Sequence, residues 1–224
     1  MLRALVFDFD GLIVDTERPS LEAWRATFEH FGCPPPALAR WADSIGRPSD
    51  DPAHFDPFGH LQALYRARGG PELRAEEVRE VRVEVRDRLL AAEPVRPGVL
   101  RWIAAAAEAS VPVAIASSSP AEWVDTHLAS RGVLAHFAHR VHAGGSLRGK
   151  PHPDTYLEAC RRLGVEATGA LAFEDSAHGV SAAKAAGLRC VAIPNSVTAA
   201  ARFDHADLVV ASLDDLDPAD YLPG

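Results

Sequence analysis

The sequence predicts an α/β protein: a parallel sheet covered by helices on both faces, with a helical segment inserted after the first strand. Three observations predict it. An apolar run, Ala4-Leu5-Val6-Phe7, opens the chain and ends in Asp8-Phe9-Asp10-Gly11, the pattern of a buried strand that stops at a bend. From Pro97 onward, short apolar runs alternate with stretches of helical periodicity, and repeated βα units joined by short loops imply a parallel sheet. Between these parts, from about Arg18 to Glu93, the chain reads as helices and loops without a convincing strand.

Taken in order, Leu21, Trp24, Phe28 and Phe31 recur at helical spacing, and Gly32 followed by Pro34-Pro35-Pro36 ends that helix. Ser44-Ile45-Gly46-Arg47-Pro48 opens an acidic, proline-rich loop, followed by a short helical stretch near Leu61 to Tyr65. Val78, Val81, Val85 and Leu89 mark a further amphipathic helix. The alternating part then predicts a helix over Leu100 to Ala109, a strand over Val111 to Ala116 and a helix over Pro120 to Ser130. A strand near Phe137 to Val141 and a helix over Pro153 to Leu163, closed by Gly164, come next. A strand over Ala170 to Phe173, a helix over Ser176 to Ala186, and strands over Arg189 to Ile193 and Leu208 to Val210 complete it.

Composition narrows the function classes. The chain has 224 residues, enough for a large domain carrying an inserted smaller one, and its 47% hydrophobic content is that of a globular protein. Lys and Arg number 23 against 31 Asp and Glu, a formal net charge of −8. That balance argues against nucleic acid or an anionic membrane as the main partner, while leaving room for one small anionic ligand at a local positive site. Cys33, Cys160 and Cys190 are odd in number and form no Cys-x-x-Cys, so neither a disulfide framework nor a zinc knuckle is expected. With no leader-like segment before the first strand and no apolar run of membrane-spanning length, the expected setting is the cytoplasm.

The chemistry-bearing residues cluster at strand ends, where open α/β sheets collect their ligands. Side chains two apart on a strand point the same way, so Asp8 and Asp10 would bring like charges together unless a cation or a shared proton resolves them. The ordinary alternative is a polar turn. Ser117-Ser118-Ser119-Pro120 follows the second core strand and serves either as an anion cradle or as a helix cap. Gly144-Gly145-Ser146-Leu147-Arg148-Gly149-Lys150-Pro151 nearly spells a nucleotide-binding loop. Pro151 lacks the hydroxyl that would meet magnesium, and no convincing strand runs into the segment, which leaves Lys150 as a fixed cation able to meet a phosphate. Glu174-Asp175-Ser176 adds two more carboxylates at another strand end. Four carboxylates converging without a cation would be costly, and hard oxygen ligands of this kind suit Mg²⁺. His136, His139 and His142 repeat at every third residue without Cys or acidic companions, so no zinc site is expected there. Trp24, Phe28 and Phe31 read as core of the helical segment.

In order and spacing, Asp8-Phe9-Asp10-Gly11 with Asp15-Thr16-Glu17, then Ser117, Lys150-Pro151 and Glu174-Asp175-Ser176, resemble the four motifs of the haloacid dehalogenase-like phosphohydrolases. The match is nearest to the branch holding β-phosphoglucomutase and the sugar-phosphate and phosphoglycolate phosphatases. The resemblance implies a Rossmann-like core, residues 1–17 and 94–224, with a mobile helical cap over residues 18–93. It implies that Asp8 is the nucleophile, forming an aspartyl-phosphate, and that Asp10 is the general acid and base. Asp8, the backbone carbonyl of Asp10, Glu174 and Asp175 would surround Mg²⁺, while Ser117, the N–H of Ser118 and Lys150 would hold the phosphoryl oxygens of a small phosphorylated substrate. Glu17 and Arg47 are candidate specificity contacts. The chain departs from the sugar phosphomutases at Ser20, where they carry His, at Pro120, where their loop has Lys, and at Ile45-Gly46-Arg47-Pro48 in the cap loop. These departures favour phosphate release to water over transfer within a sugar; a non-catalytic phosphate-binding module is the reading from another class.

Overall fold

The computed structural model describes residues 2–45 and 53–223. Arg47, the predicted cap-loop contact, lies outside the described residues. Six strands form one sheet: β1 Ala4–Phe7, β2 Val113–Ser117, β3 His139–His142, β4 Ala170–Glu174, β5 Arg189–Ala192 and β6 Leu208–Val209. Their order is β3-β2-β1-β4-β5-β6, and every pairing is parallel. The helices are α1 Glu17–His30, α2 Leu38–Ala42, α3 Pro57–Ala67, α4 Ala75–Ala91, α5 Val99–Glu108, α6 Ala121–Ser130, α7 Asp154–Leu163 and α8 Ala177–Ala185. The expected α/β class and helix-covered parallel sheet are therefore present, with element ends matching or displaced by at most four residues, as terminal turns and strand ends ordinarily are.

Strand alternation sorts the core into two unequal layers. Leu5, Phe7, Val113, Ile115, Leu171 and Phe173 pack on one face with Trp102 and Ile103 of α5 and Val124 and Leu128 of α6. Ala4, Val6, Ala114, Ala116, Ala170 and Ala172 face the other way, against Tyr156 and Ala159 of α7 and Val180 and Ala183 of α8. The small second face lets α7 and α8 approach closely, and the fully buried Tyr156 ring fills the space that the alanines leave. Each large side chain so buried stabilises the fold by about 1.5–3 kcal/mol.

Helices α1 to α4 enclose apolar clusters of their own. Phe28 is buried with Cys33, Leu61, Leu73 and Val78, and Trp24 and Phe31 pack against them half-buried. Leu21, Trp41 and Phe55 form a second cluster that also takes in Val197 from beyond β5. The chain enters and leaves this helical segment along neighbouring paths: Val14 bridges Val95, Arg96 N–H donates to the Ile13 carbonyl at 2.9 Å, and Arg18 pairs with Glu93.

Two local expectations are corrected. β1 ends at Phe7, so Asp8 and Asp10 do not share a strand face: Asp8 N–H still donates to the β4 residue Phe173, whereas Asp10 already belongs to a turn and bridges Val14. A strand does run toward the glycine-rich segment, since β3 ends at His142, two residues before Gly144. Its apolar signal is weak because β3 is three partly exposed polar residues, His139, Arg140 and His142, around a single buried Val141.

Candidate active site

β1, β2 and β4 are adjacent, and their C-terminal ends bring Asp8, Ser117, Glu174 and Asp175 to one edge of the sheet. The loop after β3 carries Lys150 into the same place. All five residues are buried, and the lysine ammonium pairs with both Asp8 and Glu174, the latter at 2.6 Å. Asp8, Glu174 and Asp175 each present a carboxylate oxygen within 4.8 Å of the others, and they form the one such grouping among the described residues. His136, His139 and His142 belong to no such grouping; the His142 ring lies 3.2 Å from the Ser119 carbonyl.

The electrostatics follow from crowding three buried carboxylates around one ammonium. Burial pushes the Asp8 carboxyl up to about 8; Lys150 pulls it down, but Glu174 and Asp10 push it up again. Burial, Asp8 and Glu174 together hold Asp175 well above the usual carboxylate range. Burial alone would lower Lys150, yet the two carboxylates beside it outweigh that and hold it above its ordinary value. A group of this composition, with hard oxygen donors and a residual negative charge, fits a divalent cation such as Mg²⁺.

A surrounding shell orients these groups. Glu174 accepts from the Tyr156 hydroxyl at 2.6 Å and from its neighbour's backbone, Asp175 N–H, at 3.2 Å. Ser176 caps α8 by accepting from Gly179 N–H at 3.1 Å. A Cβ at Gly179 would collide with the Glu174 carboxylate, so glycine there is what lets the helix start above a buried acid. Asn195 Nδ2 donates to Asp175 at 2.6 Å, and its Oδ1 is fixed by Val197 and Thr198 N–H groups. Gly11 adopts φ +75°, and a Cβ there would run into both Asp175 and Asn195. Behind this turn the Arg96 guanidinium binds the carbonyls of Gly11, Ile193 and Pro194.

Ser117 at the end of β2 and Ser118 and Ser119 after it do not cap α6. Pro120 occupies the cap position without a side-chain bond; Ser117 Oγ instead accepts from Ser119 N–H at 3.0 Å, and Ser118 Oγ from Lys150 N–H at 3.0 Å. Ser119 Oγ donates to Asp10 Oδ2 at 2.6 Å, while Trp123 Nε1 donates to Asp10 Oδ1 at 2.8 Å.

Asp8, Asp10, Ser117, Ser118, Lys150 and Asp175 open onto a cavity of about 400 Å³, a size that suits a metabolite. Further lining comes from Thr16 and Glu17, at the entry to the helical segment, and from Ser20, Ile45 and Arg86 within it. Thr16 Oγ1 is buried there without a hydrogen-bond partner. Glu17, half-open to the cavity, is pushed up to about 8 by desolvation and by Asp10, Asp15 and Asp8. Glu17, Ser20 and Ile45 also line an adjoining space bounded by Trp24, Trp41 and Arg82, so Trp24 is both core and wall. Sequence reasoning missed Arg86, Trp123, Tyr156 and Asn195. Asn195 alone carried a legible signal, since it follows the end of β5 as the motif residues follow theirs.

The family model for haloacid dehalogenase-like hydrolases matches residues 2–187. The putative phosphatase YhcW of Bacillus subtilis is 37% identical over 219 residues, covering 98% of this chain and 96% of the relative. Protein CbbY of Cupriavidus necator is 34% identical over 249 residues, covering 99% of this chain and 89% of the relative. A mutant of CbbY from Rhodobacter sphaeroides, solved in complex with xylulose-(1,5)bisphosphate, superposes with a TM-score of 0.71 at 26% identity, over 96% of each chain. A match over most of the chain, on a fold whose strand ends converge on one buried acidic cluster, leads to one conclusion: this protein belongs to the haloacid dehalogenase-like hydrolases.

Proposed function

We propose that the protein is a Mg²⁺-dependent phosphatase that releases phosphate from a small phosphorylated metabolite, of sugar-phosphate or phosphoglycolate type, through an aspartyl-phosphate on Asp8. The observation that carries this reading is the buried cluster of Asp8, Lys150, Glu174 and Asp175, open beside Ser117 to a metabolite-sized cavity. Names of relatives support the class: one is a putative phosphatase, and another is solved with a sugar bisphosphate.

Asp8 attacks phosphorus while the bond to the ester oxygen breaks, and Asp10 gives its proton to that oxygen. Asp10 then takes a proton from the water that splits the aspartyl-phosphate. Ser117, the N–H of Ser118 and Lys150 hold the phosphoryl oxygens through both steps. Mg²⁺ bound among Asp8, Glu174 and Asp175 would supply the positive charge that lets a carboxylate approach a dianionic ester. Glu17, pushed up to about 8 and so neutral near pH 7, would donate a hydrogen bond to a substrate hydroxyl, and Arg86 adds a cation to the lining of the same cavity. Residues 18–93 act as a cap over a core of residues 1–17 and 94–224; the neighbouring paths at Val14 and Val95 support a hinge there. The three free, buried cysteines fit a reducing cytoplasm.

Phosphate release from sugar phosphates, phosphoglycolate and nucleoside monophosphates, with and without Mg²⁺, tests this. Mg²⁺-dependent release from at least one ester is expected. Isomer formation without release would instead make it a mutase, and phosphate and Mg²⁺ binding without any turnover a regulatory module.

The raised Asp8 gives a second expectation. Between about pH 4 and 8 the folded carboxyl keeps a proton that the unfolded chain has lost, so the metal-free protein loses stability as pH rises through that window. Mg²⁺ binds the deprotonated cluster, so the rise in Tm that it brings should be larger at pH 8 than at pH 6. At a hundred times Kd the gain is about 2.7 kcal/mol, or roughly 5–10 °C. Differential scanning fluorimetry in EDTA and in Mg²⁺ checks it; an equal shift at both pH values would contradict the assignment.

A further inference from the structure

We propose that the space adjoining the active-site cavity is a second anion-binding site, with Arg82 as its principal donor. The substrate is then a phosphate ester whose far end carries a second anionic group, a carboxylate or another phosphate. This rests on the phosphatase reading only for where the ester phosphate sits, beside Asp8, Ser117 and Lys150.

Two arginines of α4 reach the two spaces. Arg82 and Arg86 stand four residues apart on one face of the helix, about 6 Å along its axis. Arg86 lines the cavity that holds Asp8, and Arg82 lines the adjoining space. That space is about 360 Å³, and Glu17, Ser20 and Ile45 border both, so one ligand can extend from the first into the second.

Arg82 is half-buried, with its guanidinium 5.1 Å from the centre of the Trp24 ring. Stacking occupies the flat face of a guanidinium and leaves the N–H groups at its edge able to bind. Among the described residues no ion pair or hydrogen bond takes those groups, whereas Arg86 pairs with Asp87 at 2.7 Å. Burial and the charges of Arg86 and Arg79 all work against the Arg82 cation, and Asp87 offsets them only in part. A cation so placed is stabilised by the negative charge of a ligand.

The rest of the lining suits the same ligand. Ser20 and His54 add further donors, and Glu17, at the junction of the two spaces, is the one acid among the described residues of this lining. Trp24 and the buried Trp41 and Phe55 supply apolar walls. Walls of low dielectric strengthen the pull of a single cation. A neutral polyol end would meet the same donors but leave the charge unanswered.

Calorimetric titration of the Asp8→Asn protein in Mg²⁺ reads binding without turnover. Two matched pairs serve as probes. Sorbitol 6-phosphate and 6-phosphogluconate differ by a carboxylate at the far end; fructose 6-phosphate and fructose 1,6-bisphosphate differ by a phosphate. In at least one pair the doubly anionic member should bind at least tenfold tighter, and the pair with the larger ratio names the group. Adding Arg82→Gln should bring that ratio to within threefold of unity, with folding checked by thermal melts. Should that variant fail to fold, Arg82→Lys, which keeps the charge but loses the planar fork, must still lower the ratio at least threefold. Equal affinities within both pairs, or a ratio that the folded Arg82 variant leaves unchanged, would overturn the proposal. A wild type that releases phosphate from no ester, with these ratios intact, would overturn the phosphatase reading and leave the second site standing.

Discussion

Asp8→Asn is expected to lower phosphate release by on the order of 10⁴-fold while the protein stays folded. The amide keeps the shape of the carboxyl but cannot form the aspartyl-phosphate, so the loss should fall on kcat. The substitution also removes one of three crowded acids. Burial and the neighbouring carboxylates push Asp8 up to about 8, so its negative charge is a cost to the metal-free fold, offset in part by Lys150. The variant should therefore melt no lower than wild type at pH 8 in EDTA. Release assays and thermal melts on the same preparations decide the matter. Residual turnover within tenfold of wild type would remove Asp8 from the nucleophile's place.

Lys150→Met should act in the opposite way on stability. Its ammonium is buried between Asp8 and Glu174, and the methionine stem fills similar space without the charge. Removing one partner of a buried ion pair costs about 3–5 kcal/mol because the remaining charge is left uncompensated. For a chain of this size that is a fall in Tm of roughly 6–20 °C. The fall should be smaller at pH 5.5 than at pH 8, since the Asp8 carboxyl, pushed up to about 8, takes up a proton at the lower pH. Phosphate release should also be lost, because a phosphoryl contact has gone. A variant with the Tm of wild type at pH 8 would show that Lys150 does not neutralise this cluster.

Both predictions concern residues whose types and neighbours in sequence already pointed to chemistry. Asp8, Ser117 and the pair Glu174-Asp175 could be read because each directly follows an apolar run, and Lys150 because it precedes a proline in a glycine-rich loop. Their partners were not legible for physical reasons. Trp123 sits in α6 one residue before the buried Val124, so helical periodicity offers only a core aromatic. Arg86 lies among the alternating charges of α4 and reads as a solvated face. Tyr156 reads as the apolar face of α7, which it also is; its hydroxyl finds Glu174 only because the alanine-rich sheet face admits the ring that deeply. The serines at the end of β2 read in sequence more readily as caps than as an anion cradle, and what assigned them was the approach of Asp10 and Lys150 from elsewhere in the chain.

By itself the sequence determined the alternation of strands and helices, the helical segment after β1, and which strand ends carry carboxylate, hydroxyl and amine. Those features rest on periodicity and turn chemistry, which act over a few residues. Which charge meets which was decided by the order β3-β2-β1-β4-β5-β6. That order sets β1 between β2 and β4, so the first strand's acid meets groups more than a hundred residues away. Strand pairing at that separation is won by burial of both sheet faces together, a property of the whole chain that no short window contains.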